Sequence, residues 1–208
     1  MRNESRTRFR SIFSGGFYPF MITEGNLTEE NFVVEAGALL TSIKRASACG
    51  VPFIQIREKR LDSLKLAKVV GEAVEATRGS ATRIFVNERF DVALAGKAFG
   101  VHLSAGAMPT ATVRENSGGC LAIGRSVHDY EELLEAKTGG ADYCFVSPVF
   151  SPLSKSVNMH AIGLNGLKEF CARAEELPVY ALGGITNENI EAVRACGASG
   201  YAGISIFR

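Results

Sequence analysis

The sequence lacks an excess of either charge, a long apolar run and a paired-cysteine motif. Its formal net charge is +1, with 46% hydrophobic and 22% charged residues, the balance of an ordinary soluble globular protein. No run approaches the roughly 18 apolar residues that a membrane-spanning helix needs. These absences argue against a nucleic-acid partner and a membrane partner, and we expect a soluble protein of the cytoplasm.

The cysteines are odd in number and dispersed along the chain. They are Cys49, Cys120, Cys144, Cys171 and Cys196, and no two of them form a C-x-x-C pair. Such a set argues for reduced thiols in the cytoplasm and against a disulfide framework or a zinc site.

The N-terminus is basic, with four arginines among the first ten residues. No apolar stretch of signal-peptide length follows before Gly15 and Gly16. We therefore expect a basic flexible tail over residues 1 to 16 and one domain over residues 17 to 208, because this length suffices for a single sizeable core.

Short β-branched or aromatic runs alternate with longer amphipathic runs along the chain. The predicted strands cover residues 17–23, 53–58, 83–88, 100–104, 121–127, 143–149, 178–183 and 201–205. Helix start signals lie between them, such as Asp62 and Asp129, the latter with Glu132 three residues on. Eight βα units in about 200 residues predict a single-domain (β/α)8 TIM barrel. An open doubly wound sheet is the competing architecture, and the closing C-terminal helix is expected to be missing after the eighth strand.

Polar residues collect where the predicted strands end, which is where barrels of this kind carry their chemistry. In FIQIREK, residues 53 to 59, the side chains of Gln55, Arg57 and Lys59 recur at two-residue spacing and should share one face. Unpaired cations are costly to bury. A phosphorylated ligand is the simplest anion that would meet them.

Four other predicted strands also end in polar residues. The third ends in Asn87 and Glu88, the fourth in His102 and Ser104, and the fifth in Ser126 and His128. The sixth leads into the loop SPVFSPLSK with Ser154 and Lys155. We predict that His102 is a hydrogen-bonded core histidine. Gly124, Ser126 and His128 are spaced two residues apart and should lie on the same face of the strand, so we predict that all three face the barrel lumen and that His128 is a candidate catalyst.

The last two strands carry the features of a phosphate site. The segment LGGIT, residues 182 to 186, combines unobstructed backbone N–H groups with a following helix start. Ile204 and Ser205 end strand eight, and the loops after strands seven and eight are the usual phosphate site of this fold. A simple tight turn is the alternative for the paired glycines.

Together these segments resemble thiamine phosphate synthase and its relative, the TenI thiazole tautomerase, from residue 17 to residue 207. FIQIREK matches the family's Q-x-R-x-K motif, and FVNERFDVALAGKAFGVHL its N-D-R-x-D-x-A-L...G-V-H-L segment. IGRSVHDYEELLEA matches the fifth strand and helix. SPVFSPLSK matches the P-x-F/Y...T-K loop, and PVYALGGITNENI...AGISIF the two phosphate-binding strands.

For a synthase, the resemblance implies a site for two phosphorylated thiamine precursors. It assigns Gln55, Arg57, Lys59, Asn87 and Ser126 to hydroxymethylpyrimidine diphosphate, Ser154 and Lys155 to the diphosphate loop, and Gly184, Ile204 and Ser205 to the thiazole phosphate. Diphosphate would leave with Mg²⁺, and the thiazole nitrogen would capture the pyrimidine cation. Related barrels are often dimers, so the resemblance also admits a homodimer.

The sequence departs from the synthase pattern at its two metal-binding aspartates. The first is replaced by Glu88, and the second is absent because SAGAMPT follows GVHL. Mg²⁺ demands strict geometry from oxygen ligands, so we favour the thiazole tautomerase, which needs no cofactor and would use His128 and Lys155 in a proton shift. The alternatives are the synthase, with Mg²⁺ at Glu88, a non-catalytic regulatory barrel that binds a thiamine precursor, and a phosphate-binding isomerase outside thiamine metabolism.

Overall fold

The computed structural model describes residues 9 to 151 and 160 to 208. Eight parallel strands form a closed barrel in chain order, in which β8 pairs back with β1. The strands are β1 (Tyr18–Ile22), β2 (Phe53–Ile56), β3 (Arg83–Asn87), β4 (Gly100–Leu103), β5 (Ala122–Val127), β6 (Tyr143–Val146), β7 (Val179–Leu182) and β8 (Gly200–Gly203). The predicted (β/α)8 barrel is therefore confirmed, and the open sheet is excluded.

Helices precede β1 and lie between successive strands. They are α1 (Arg10–Ser14), α2 (Phe32–Ala48), α3 (Ser63–Ala76), α4 (Phe90–Ala95), α5 (Thr110–Asn116), α6 (Tyr130–Gly139), α7 (Gly163–Ala174) and α8 (Ile190–Ala195), and a 3₁₀ turn (Ser205–Phe207) follows β8. As predicted, Asp62 and Asp129 cap α3 and α6 by accepting from backbone N–H groups. Within the described ranges, no helix is long and apolar enough to cross a membrane.

Side chains along each strand alternate between the barrel interior and the surrounding helices. Alternate positions of the strands fill the interior with rings, namely Phe20, Phe53, Phe85, Tyr143, Phe145 and Tyr180. The intervening residues are aliphatic or small, such as Ile54 and Ile56 on β2, and they pack against the helices. The interior is thus a largely aromatic core, and the polar side chains of Gln55, Asn87 and Ser126 lie near the C-terminal ends of its strands.

The rings fit inside the barrel because glycines stand opposite them. A Cβ atom on Gly124 would lie 2.1 Å from Cζ of Tyr143, and one on Gly200 would lie 2.7 Å from Cε1 of Tyr180. Neither clash can be relieved without moving a buried ring. These two glycines are therefore required by packing and not by backbone conformation.

Helix α1 packs into the interior, where a flexible tail was expected. Phe13 is fully buried, with its ring centroid 4.6 Å from that of Tyr143 and 5.0 Å from that of Phe53. The Tyr180 hydroxyl donates to the Phe13 carbonyl oxygen over 3.2 Å. The predicted tail is therefore wrong for residues 9 to 16, because their aromatic residues find burial among the interior rings; residues 1 to 8 lie outside the described part.

Candidate active site

Gln55 and Asn87 form a hydrogen-bonded amide pair at the C-terminal ends of β2 and β3. Gln55 Nε2 donates to Asn87 Oδ1 over 2.9 Å, and Gln55 is only 2% exposed. In the part of the chain that the structure describes, Gln55 Oε1 is buried and has no hydrogen-bond partner. An unpaired buried oxygen of this kind costs about 1–3 kcal/mol. The pair therefore leaves one amide oxygen unsatisfied at the polar end of the interior, a candidate acceptor for a ligand.

Arg57 and Lys59 lie beyond the end of β2, whose last residue is Ile56. Arg57 is half-buried and Lys59 is exposed, with its Nζ 3.9 Å from Glu88 Oε1. The prediction that both cations share a strand face with Gln55 is wrong, because the strand ends before either of them. They follow Gln55 in the loop after β2, on the same side of the barrel.

Glu58, between these two cations, is the important residue that sequence reasoning missed. It is 3% exposed, and its carboxylate accepts from Thr23 Oγ1 (2.7 Å) and from the backbone N–H groups of Gly25 (3.1 Å) and Leu27 (2.8 Å). Thr23 Oγ1 also accepts from the Arg57 N–H over 2.8 Å. Glu58 thus ties the loop after β1 to the loop that carries the cations.

Glu88 follows β3 and has a left-handed backbone, with φ of 61°. This conformation is costly for a residue other than glycine and is frequent at functional sites. Its Oε1 accepts a hydrogen bond from Ser104 Oγ, which follows β4. A metal site with two carboxylates would need a second carboxylate near Glu88. The loop after β4 instead places the Ser104 hydroxyl there.

A magnesium ion fits Glu88 only together with a phosphorylated ligand. Among the described residues, no three or more His, Cys, Asp or Glu side chains form a group that could hold a metal ion. Proteins often bind Mg²⁺ through one or two carboxylates and the phosphate oxygens of the substrate. Glu88 could supply the protein's share of such a site.

His102 is buried in the interior and joins Ser126 to Tyr143. Its Nε2 lies 2.9 Å from Ser126 Oγ, its Nδ1 lies 3.1 Å from the Tyr143 hydroxyl oxygen, and its ring stacks on Phe145 with centroids 4.0 Å apart. Burial lowers the pKa of His102 to about 3, with a smaller contribution from the Arg125 charge. The imidazole is therefore neutral near pH 7, and the prediction of a hydrogen-bonded core histidine is confirmed.

His128 lies one residue past β5 and is tied to helix α6. Its Nδ1 is 3.0 Å from Glu132 Oε2, and its backbone N–H donates to the same oxygen over 2.6 Å. Its side chain is 31% exposed. Of the three residues predicted to face the lumen, Gly124 and Ser126 contact interior residues. The prediction is wrong for His128, because β5 ends at Val127 and the His128 ring pairs with the first turn of α6.

Gly183 and Gly184 form the turn after β7, with φ of 96° and 65°. A Cβ atom on Gly184 would lie 2.7 Å from Cβ of Phe150, so the position has no room for a side chain. The Asn189 side chain fixes the turn by accepting from the Thr186 N–H (3.0 Å) and donating to the Gly184 carbonyl oxygen (2.9 Å).

Ile204 and Ser205 follow β8, which is hydrogen-bonded to β7. The turn after β7 and the 3₁₀ turn after β8 are therefore neighbours at one side of the barrel mouth. The two remaining predicted residues, Ser154 and Lys155, lie outside the described residues.

The fold and the site define a (β/α)8 barrel with a polar site at the C-terminal ends of its strands. The chain belongs to the thiamine monophosphate synthase family, because the model of that family matches residues 26 to 207. The predicted family is therefore confirmed.

Individual relatives support the same family. The thiamine-phosphate synthase of Methanoregula boonei is 41% identical over 160 residues, which cover 77% of this chain and 74% of the relative. That of Methanococcus maripaludis is 33% identical over 186 residues, covering 89% and 84%. Among solved structures, the thiamine phosphate pyrophosphorylase from Pyrococcus furiosus superposes with a TM-score of 0.77 at 32% identity, covering 96% of this chain and 87% of that one. These names support the synthase alternative better than the favoured tautomerase.

Proposed function

We propose that the protein is a thiamine phosphate synthase, which joins hydroxymethylpyrimidine diphosphate to a thiazole phosphate and releases diphosphate. The observation that carries the proposal is the buried Gln55–Asn87 pair, whose Gln55 Oε1 has no partner among residues 9–151 and 160–208. It lies at the same mouth as two cations and a paired-glycine turn, in a chain with relatives of that name. The earlier preference for a tautomerase becomes the second candidate.

The pyrimidine ring would bind at the polar end of the barrel interior. Gln55 Oε1 would accept from the exocyclic amino group of the ring, while the Asn87 amide and the Ser126 hydroxyl would contact its other polar edges. These groups already hold fixed positions through the amide pair and the bond to His102. The aromatic residues beneath them would exclude water from the lower side of the ring.

The diphosphate would lie toward the rim, where Arg57 and Lys59 follow β2. We assign Ser154 and Lys155 to the same group by resemblance. Cations fixed before the reaction stabilise charge that develops on a leaving group. Mg²⁺ held by Glu88 would neutralise further charge on the diphosphate when bound.

The thiazole phosphate would bind where the turns after β7 and β8 meet. Gly184 would contribute a backbone N–H group from the turn after β7, and Ile204 and Ser205 would contribute theirs from the neighbouring turn. The thiazole nitrogen could then reach the pyrimidine carbon from which diphosphate departs.

A thiazole tautomerase is the second candidate, because His128 is paired with Glu132 and Glu88 is paired with a hydroxyl group. A carboxylate that orients a histidine suits proton transfer near neutral pH. This reaction needs neither a diphosphate nor a second metal ligand. Lys155 would contact its substrate in the same way as in the synthase.

Two assays on the same preparation distinguish the candidates. One follows thiamine phosphate formation from hydroxymethylpyrimidine diphosphate, thiazole phosphate and Mg²⁺; the other follows aromatisation of thiazole carboxylate phosphate. Turnover in the first assay supports the synthase, and turnover in the second assay alone overturns it. Tight ligand binding with no turnover in either would instead indicate a regulatory barrel.

Two substitutions make this test specific to the chemistry. For a synthase, Glu88→Gln should lower kcat by about 100-fold at limiting Mg²⁺, because the metal loses its protein carboxylate, while His128→Asn should have little effect. For a tautomerase, the order reverses, with about a 100-fold loss or more for His128→Asn. Measuring kcat and KM for both variants in both assays, together with the Mg²⁺ dependence, gives the comparison.

A further inference from the structure

A buried hydrogen-bonded chain runs from Tyr143 through His102 to Ser126. Its first two members were not among the predicted ligand-binding residues, and both lie inside the barrel, with Tyr143 fully buried and His102 2% exposed. Only Ser126, at the end of the chain, is partly exposed toward the mouth. The direction of the hydrogen bonds along this chain decides what Ser126 offers to a ligand.

The direction is set at Tyr143. Tyr143 is fully buried, and its ring packs against those of Phe13, Phe20 and Phe145. Within the described residues, His102 Nδ1 is the one hydrogen-bond partner of its hydroxyl. A buried hydroxyl whose hydrogen has no acceptor is costly. Burial also raises the pKa of Tyr143 well above its usual value, so the hydrogen stays on the oxygen. The hydroxyl must therefore donate to Nδ1.

The tautomer of His102 follows from that donation. A neutral imidazole has one N–H group, and a nitrogen that accepts a hydrogen bond carries no hydrogen. Because Nδ1 accepts from Tyr143, the hydrogen must be on Nε2, which donates to Ser126 Oγ over 2.9 Å. Ser126 Oγ is thus an acceptor toward His102, and its own hydrogen points elsewhere.

We propose that Tyr143 and His102 are positioning residues that make Ser126 a hydrogen-bond donor toward the ligand. The site then selects a heteroaromatic ring that presents an unprotonated nitrogen to Ser126 and an N–H group to Gln55 Oε1. With the opposite tautomer, Ser126 would donate to His102 and offer only an acceptor. The identity of the ring rests on the proposed function, but the direction of the hydrogen bonds from Tyr143 to Ser126 does not.

The first test uses the ligand-free protein and does not depend on the reaction. The chain has three histidines, so ¹⁵N-labelled histidine gives a simple spectrum, and the variants His128→Asn and His160→Asn identify the His102 signals. Long-range couplings from the ring protons should show the Nε2–H tautomer of His102 at neutral pH. An Nδ1–H tautomer would overturn the proposal.

The second test is a double-mutant cycle on ligand recognition. Ser126→Ala should raise KM for the pyrimidine diphosphate by about 10-fold with a much smaller change in kcat, since a hydrogen bond to the ring is lost. Tyr143→Phe should raise KM in the same direction when made alone. In the Ser126→Ala background it should add nothing, because Tyr143 acts through Ser126.

Tyr180→Phe is the matched control. It also removes a buried hydroxyl from the interior, but that hydroxyl donates to the Phe13 carbonyl and does not reach Ser126. KM should be unchanged in this variant. Multiplicative losses in the double mutant, or an equal rise in KM for Tyr180→Phe, would contradict the proposal. If the wild-type protein does not turn over, the proposed function fails, and the dissociation constant of the pyrimidine compound replaces KM in the same cycle.

Discussion

At the scale of single residues, sequence reasoning succeeded where strand alternation decides the direction of a side chain. Gln55, Asn87 and Ser126 were predicted as ligand-binding residues, and the structure brings each to the polar end of the interior. Their binding roles are still predictions. Reasoning failed where the strand ended earlier than predicted, as for Arg57 and Lys59, because alternation carries no information beyond the last strand residue.

The burial of His102 predicts a specific loss of stability in acid. Its pKa is lowered from 6.5 to about 3 in the folded protein, so below about pH 6.5 the unfolded chain takes up a proton that the folded chain does not. The neutral, buried His102 therefore contributes to the stability of the folded protein above the unfolded pKa, and this contribution is lost as the pH falls toward the folded pKa. For wild type, this one group should lower the free energy of unfolding by about 2 kcal/mol between pH 7 and pH 5.

Urea unfolding of wild type and His102→Gln at these two pH values checks the prediction. The variant should be less stable at pH 7, since it loses two buried hydrogen bonds, but its further loss on going to pH 5 should be smaller by about 2 kcal/mol. His160→Gln, at an exposed position, should show the wild-type pH dependence. If the free energy of unfolding fell equally between pH 7 and pH 5 in wild type and His102→Gln, the lowered pKa of His102 would be contradicted.

At the scale of secondary structure, all eight predicted strands are present, and their ends lie within two residues of the prediction except at β6, which ends three residues early at Val146. Buried parallel strands are short apolar runs between clear turn and cap signals, such as Asp129 before α6, and these are local features that a sequence shows directly. The role of Glu58 could not be found in this way. Its three donors come from residues more than 30 positions earlier in the chain, and a carboxylate between two cations looks like a surface ion-pair partner.

Glu58→Gln should loosen the loop after β1. In the wild type, Oε1 of Glu58 accepts from Thr23 and Gly25, and Oε2 accepts from Leu27. The glutamine side chain has only one acceptor oxygen. At least one buried N–H or hydroxyl group is therefore left unpaired. The free energy of unfolding should fall by about 1.5–3 kcal/mol. Urea unfolding measures this loss, and hydrogen exchange should become faster at the amides of Gly25 and Leu27.

Glu24→Gln is the control for this change. Glu24 belongs to the same loop, but its carboxylate makes exposed contacts with Asn26 and Arg208. Its substitution should alter stability by less than about 0.5 kcal/mol. Unchanged exchange at Gly25 and Leu27 in Glu58→Gln would show that the loop does not depend on the carboxylate.

At the scale of the whole molecule, the closed barrel was predictable but the packing of helix α1 was not. Strand count and alternation with helices are enough to imply closure. Four of the first ten residues are arginines. Phe9 and Phe13 alone are too few apolar residues to show a helical repeat in the sequence. Only the assembled interior provides the rings of Phe53, Tyr143 and Tyr180 against which Phe13 packs.

Phe13→Ala should therefore destabilise the entire barrel. Removing a fully buried aromatic ring costs about 3–5 kcal/mol through lost burial and the cavity that it leaves. Ile12, the preceding residue, is 37% exposed, so Ile12→Ala should cost less than about 1 kcal/mol. Chemical denaturation of both variants gives the comparison. Similar losses for the two would mean that residues 9 to 16 are dispensable to the interior.

The aromatic rings that fill the interior also limit how deep a ligand can go. The His102 ring stacks on Phe145 and packs against Tyr143, and a Cβ atom at position 124 would clash with the Tyr143 ring. We therefore expect a bound ring to rest above these residues, with its charged substituents toward the rim. Size selection should be one-sided: analogues with an added group on the inner edge of the ring should be rejected, whereas extensions on the outer edge should be accepted.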